Sequence, residues 1–189
     1  ITSLAILFIL VFTVGIINTV RSFQTEQEIS KVLNILTENN GSFGKIKKIE
    51  TNQGREIPSD SFRFFSLTLS GDKVVSQDTS HTSLINDEEA ARYALTVSRL
   101  TNNLGTIREK NINLSYQVSK VSRDKILVVF LDTSSYYNSS QALFSLSILL
   151  SLFAFIFFVV IVSALSGIVI RPFIRNYEKQ RRFITNAGH

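Results

Sequence analysis

The 189-residue chain contains no cysteine. That excludes thiol catalysis, a disulfide scaffold and any metal site built on thiolates. An oxidising compartment permits disulfides without requiring them, and about 120 residues can build a core of their own. Glycine-rich phosphate loops are also absent, as are a Pro/Gly-rich linker and any internal repeat. Histidine is nearly absent, with only His81 and His189. Charge, finally, is missing from two long stretches, Ile1–Val20 and Ala142–Ile170.

Those two stretches carry much of the apolar content. A bilayer core of ~30 Å needs ~20 helical residues, so both qualify as membrane spans, the second long enough to tilt or project. The first lacks the basic start, short apolar core and small-residue cleavage site of a secretory signal, so it reads as an anchor. Its missing initiator methionine points to a true N-terminus further upstream. Beyond Ser, Thr and a terminal Asn18 the spans carry no polar residue, which argues against a conduction path.

Basic residues beside the spans set the orientation. Arg171, Arg175, Lys179, Arg181 and Arg182 follow the second run with only Glu178 opposing them, whereas Arg21–Gln141 holds fifteen basic and fourteen acidic residues. The tail is therefore expected in the cytoplasm and the central segment outside. This basic tail reads as topology and attraction to the lipid bilayer, not as a nucleic-acid footprint. The expected organisation is a first span over 1–20, an extracytoplasmic domain over 21–141, a second span over 142–170 and a cytoplasmic helix over 171–189.

Within the central segment, Ile29, Val32, Leu33 and Leu36 recur at helical spacing, so the first span is expected to run outward unbroken to a stop at "NNG". "FRFFSLTLS" and "GDKVVSQD" predict two strands around a Ser-Gly-Asp turn. "NDEEAARYALTVSRLTNNLG" predicts a helix capped by Asn86 and Glu89, with Tyr93, Val97, Leu100 and Leu104 as its buried stripe and Gly105 as its end. "INLSYQVSK" alternates, placing Ile112, Leu114, Tyr116 and Val118 on one face, and "KILVVFLD" reads as a fully buried central strand. The fold class is α+β with a mostly antiparallel sheet.

Candidate ligand contacts in this segment are few. His81 lies in a polar loop without partner ligands and reads as a solvated histidine. Asp87, Glu88 and Glu89 suit a charged first helical turn better than catalysis. Asp132, at the end of the buried strand, can orient a ligand but is placed as turn formers are. The segment has the look of a sensing or binding module.

The tail "RPFIRNYEKQRRFITNAGH" begins with Pro172 just past the membrane, where a helix kinks or starts. Phe173, Tyr177, Gln180, Ile184 and Ala187 then follow steps of four and three, the spacing of a two-helix seam. His189 points away from that seam. At these residues the chain resembles the bacterial sensor histidine kinases, whose phosphoacceptor box joins an aromatic-aliphatic pair, an Asn and a His, here Phe183, Ile184, Asn186 and His189. Gly188 stands where Ser is frequent, and the acidic residue and Pro with which the family usually continues the box would fall beyond residue 189.

The resemblance implies that His189 is phosphorylated from ATP with Mg²⁺ by a catalytic domain outside these residues, in a homodimer, and passes the group to an aspartate on a response regulator. Residues 1–189 themselves then hold no nucleotide, cofactor or metal site. It further implies a PAS-like (PDC/Cache-type) sensor with a long N-terminal helix, in a multi-pass protein of the bacterial cell membrane, receiving an extracytoplasmic ligand or a partner membrane protein. "IRPF" resembles the start of a HAMP module, but Arg171–Gly188 leaves no room for one, so coupling is expected to be direct. Ser163-x-x-x-Gly167 is a small-xxx-small pair suited to close packing of second spans. Rival readings are a chemoreceptor or cyclase with the same input layout, or a non-enzymatic two-span membrane protein.

Overall fold

A computed structural model describes residues 2–52, 54–109 and 112–166. The elements in chain order are α1 (Thr2–Glu38), β1 (Lys48–Glu50), β2 (Glu56–Pro58), a 3₁₀ turn (Ser59–Ser61), β3 (Phe64–Ser70), β4 (Lys73–Asp78), α2 (Asp87–Ser98), β5 (Leu104–Glu109), β6 (Ile112–Lys120), β7 (Ile126–Asp132) and α3 (Ser134–Leu165). They divide into two compact units, one of residues 20–141 and one containing residues 2–19 and 142–166.

The second unit is built from the apolar parts of α1 and α3. Both helices are long and apolar enough to cross a membrane, with mean hydropathy 2.0 and 3.0 over their most apolar windows. Their scattered polar groups are satisfied locally: Asn18 donates to the Val14 carbonyl, Thr19 to Gly15 and Ser147 to Leu143, each at 2.8 Å. Such back-bonding removes the need for water, which a hydrocarbon core does not offer.

The 20–141 unit is an α+β domain around a five-stranded antiparallel sheet of order β4-β3-β7-β6-β5, with β1 and β2 forming a separate two-stranded ribbon. Strand alternation sends side chains to two faces. Phe64, Leu127, Val129 and Leu131 join Ile29, Val32, Leu33 and Leu36 of α1 in one core cluster. Phe65, Leu67, Leu69, Val128, Phe130, Leu114 and Tyr116 join Ala90, Ala94 and Val97 of α2 in the other. The central strand is β7, buried through Leu127–Leu131, because both faces are covered.

The long helix ends as expected. Asn40 and Gly41 both take positive φ, 56° and 86°, and the Gly41 amide donates to the Leu36 carbonyl at 2.7 Å. A Cβ on Gly41 would collide with the Ser66 side chain of β3, so the glycine sets both the turn and its seat on the sheet.

The second helix departs from expectation. Asn86 and Glu89 form the capping box, but α2 stops at Ser98 and Leu104–Glu109 is strand. Leu100 and Leu104 are 49% and 52% exposed instead of lying in the buried stripe, which Ala90, Ala94 and Val97 supply. The Val118 amide bonds the Asn103 carbonyl at 2.7 Å, and β5 then pairs along β6. Sheet pairing thus claims a backbone that the apolar spacing suggested was helical. Gly105 lies opposite Tyr116 in that pairing, and a Cβ there would meet the tyrosine hydroxyl at 2.6 Å and its ring at 2.8–2.9 Å. It makes room for an aromatic ring and does not end a helix.

Candidate functional site

Of the residues singled out by chemistry, His81, Asp87, Glu89 and Asp132 have structural partners. His81 is exposed, yet its ring stacks on Phe64 at 4.5 Å and 16°, which pins the β4–α2 loop. In the same loop Asp78 accepts from the Ser80 amide and hydroxyl at 3.0 and 2.6 Å. Those bonds hold the Asp78 carboxyl below its ordinary range, with the nearby His81 adding a smaller pull the same way. Asp87 accepts from the Thr79 hydroxyl at 2.6 Å, and Glu89 completes the cap. Tyr93 donates to Glu109 at 2.8 Å, and burial, reinforced by that carboxylate, pushes its hydroxyl up. No group of three His, Asp or Glu that could hold a metal occurs among the described residues. His189, the tail from 171 onward and Gly167 lie outside them; Ser163 is exposed on α3.

What the fold does bring together is the passage from β7 into α3. Asp132 ends the strand, and its Oδ1 accepts from the Ser134 amide at 2.9 Å, starting the helix two residues later. This is the turn-forming role foreseen as one option for Asp132. Thr133, fully buried, donates its amide and Oγ1 to the Asn113 carbonyl at 2.8 and 3.0 Å. The Asn113 amide in turn donates to Ser134 Oγ at 3.0 Å. A hydroxyl chain runs on from Thr133 to Ser115 at 3.2 Å and from Ser115 to Thr106 at 3.1 Å, linking β7, β6 and β5.

The first turn of α3 is held as firmly from the other side. Tyr136 and Tyr137 pack against the α1-facing core, and the Tyr136 hydroxyl reaches Glu28 Oε1 of α1 at 3.4 Å. The Arg108 guanidinium lies 5.1 Å from the centre of the Tyr137 ring. Helix α3 therefore begins inside the domain, eight residues before the apolar run, with no linker between. Sequence reasoning missed these residues, although the Asp-Thr-Ser run before "SYY" is a helix-start signal.

Two clefts border this junction. One, of about 140 Å³, is lined by Glu26, Ser30 and Leu33 of α1 and by Gly105, Thr106 and Ser115. The other, of about 240 Å³, is lined by Ile57, Ser61, Phe62, Arg63, Asp132, Ser135 and Tyr136. Both are open crevices. No protein-family model and no curated protein matches the chain.

Proposed function

We infer that the chain is the signal-receiving portion of a membrane-bound sensor histidine kinase of a bacterial two-component system. The observation that carries the coupling half of this reading is the linker-free passage of the central strand β7 into α3. The catalytic half rests on the Phe183, Ile184, Asn186 and His189 spacing. In this reading residues 20–141 lie outside the cell as a PAS-like (PDC/Cache-type) sensor, supported by the long helix α1 and the central antiparallel sheet. The basic residues after the second span favour a cytoplasmic tail.

The mechanism follows from the junction. Any rearrangement of β7 against β6 or α1 shifts the Thr133–Tyr137 turn, and a continuous helix transmits that shift along its length. A stimulus achieves this only by favouring one packing over another. In a homodimer the two second spans would move against each other, with Ser163 and Gly167 permitting close approach. His189 would then accept a phosphoryl group from ATP, held with Mg²⁺ by a catalytic domain outside residues 1–189. An imidazole nitrogen is a competent nucleophile near neutral pH, and phosphohistidine readily donates to an aspartate of a response regulator.

The test is ATP labelling of the full-length protein in membranes beside His189→Gln. Acid-labile phosphate is expected in the parent and absent from the variant. Labelling that survives the substitution, or a parent that never labels, refutes the kinase reading and favours another receptor class with the same input layout.

A further inference from the structure

A larger recess lies in the other unit, between the apolar parts of α1 and α3, with a volume of about 400 Å³. It runs from Leu7 to Gly15 on α1 and from Phe144 to Phe155 on α3, about 12 and 16 Å of helix at 1.5 Å per residue. Apart from the Ser151 hydroxyl its side chains are hydrocarbon, and neither helix brings a charge to it. Gly15 gives it room, since a Cβ there would meet nothing within 4 Å. Leu10, Val14 and Phe155 are half-buried along it, whereas Val11, Ile148 and Leu152 are exposed beside them. The recess is thus a groove with a floor and a rim.

We propose that this groove holds one acyl chain of a membrane lipid. Inside a bilayer core the candidates to fill it are a lipid tail and another helix. Spread over its length, the volume gives a mean cross-section of about 25–33 Å², against about 80–110 Å² for a helix 10–12 Å across. A helix from a second copy could therefore lay only side chains over the rim. An extended methylene chain, with neighbouring carbons at about 3.5–4.0 Å, fits inside. The length agrees as well. The groove begins at Phe144, just inside the charge-free run that opens at Ala142, and its extent matches the ~15 Å of one leaflet, half of a ~30 Å core. Apolar surfaces gain nothing from water exclusion in lipid, so packing decides occupancy. A tail in the groove touches two helices at once, where a flat wall offers one. Such a tail sets how closely α1 and α3 approach, so its length and unsaturation enter the spacing of the spans. That regulatory meaning rests on the sensor reading above; the binding rests only on both helices lying in a bilayer.

The experiment places the chain in liposomes of phosphatidylethanolamine and phosphatidylglycerol, part of the latter carrying a diazirine at mid-chain. Photolysis and peptide mapping by mass spectrometry then locate the attached lipid. Attachment is expected to favour Val11 and Leu152 over Phe8 and Phe153, which lie outside the groove although they are 70% and 73% exposed. Gly15→Leu and, from the opposite helix, Ser151→Leu should each cut attachment in the groove by about fivefold, the effect of losing some ten carbon contacts. Attachment at Phe8 and Phe153 should not change, and both variants should keep the parent's circular dichroism. Attachment that simply follows exposure overturns the proposal, as does groove attachment undiminished in either variant. A second copy in the groove is tested with Val11→Cys, which introduces the only thiol into a cysteine-free chain. Ready formation of a disulfide between copies at that position overturns the proposal too. No ATP is present, so failure here is distinguishable from failure of His189 phosphorylation.

Discussion

Gly41 shows how much one residue can settle. It turns the chain off α1 with φ of 86° and lies against Ser66 of β3. Gly41→Ala has both costs, a strained left-handed backbone and a side-chain collision, so a loss of about 1–3 kcal/mol is expected. For a domain of this size that lowers the unfolding midpoint by roughly 4–12 °C, readable by circular dichroism of the chain in nanodiscs. An alanine variant that melts with the parent would mean that Gly41 is merely tolerated there. The "NNG" stop was legible because local turn chemistry decides it. The role of Gly105 was not, since its reason is the Tyr116 ring on a neighbouring strand, a contact that local spacing does not reveal.

Among the elements, legibility followed the same division. The α1 stripe, the Asn86 cap, the β3–β4 hairpin and the buried β7 all announce themselves through periodicity or turn residues, and all are present. Strand β5 did not, because as an edge strand it leaves Leu104 and Arg108 exposed while Ile107 packs inward. Its apolar residues therefore continue the spacing of the preceding helix by accident. The apolar run from Ala142 does not reveal that α3 begins at Ser134, because apolarity marks a stretch suited to a membrane and not the start of a helix. The hydroxyl network that fixes that start is itself testable. Thr133→Val keeps the shape but strips the Asn113 carbonyl of one donor and breaks the chain to Ser115 inside a buried site. A destabilisation of about 1–3 kcal/mol is expected, with amide exchange rising first at the β6–β7–α3 junction. Exchange that rises uniformly, or not at all, would show that the junction is held by packing alone.

For the whole molecule, the decisive matter is what a continuous helix can transmit. Helix α3 starts within the domain and runs unbroken to Leu165; on the sensor reading proposed above, a change of angle at Thr133 would be carried along it as rotation or tilt. Residues inserted into such a helix rotate everything beyond them by about 100° each, with about 3.6 residues restoring the phase. Alanines placed between Gln141 and Ala142 of the full-length protein should therefore alter output periodically. On the kinase reading proposed above, one alanine should invert or lock output by rotating everything beyond it by about 100°. Four alanines, about 40° from the original phase, should recover much of the parent behaviour despite lengthening the helix by about 6 Å. Phosphorylation of His189 measured across inserts of one to four alanines reads this directly. A monotonic decline with insert length would exclude rotational coupling, since length alone would then govern output, whereas recovery at four ties the signal to helix phase and hence to the turn at which β7 becomes α3.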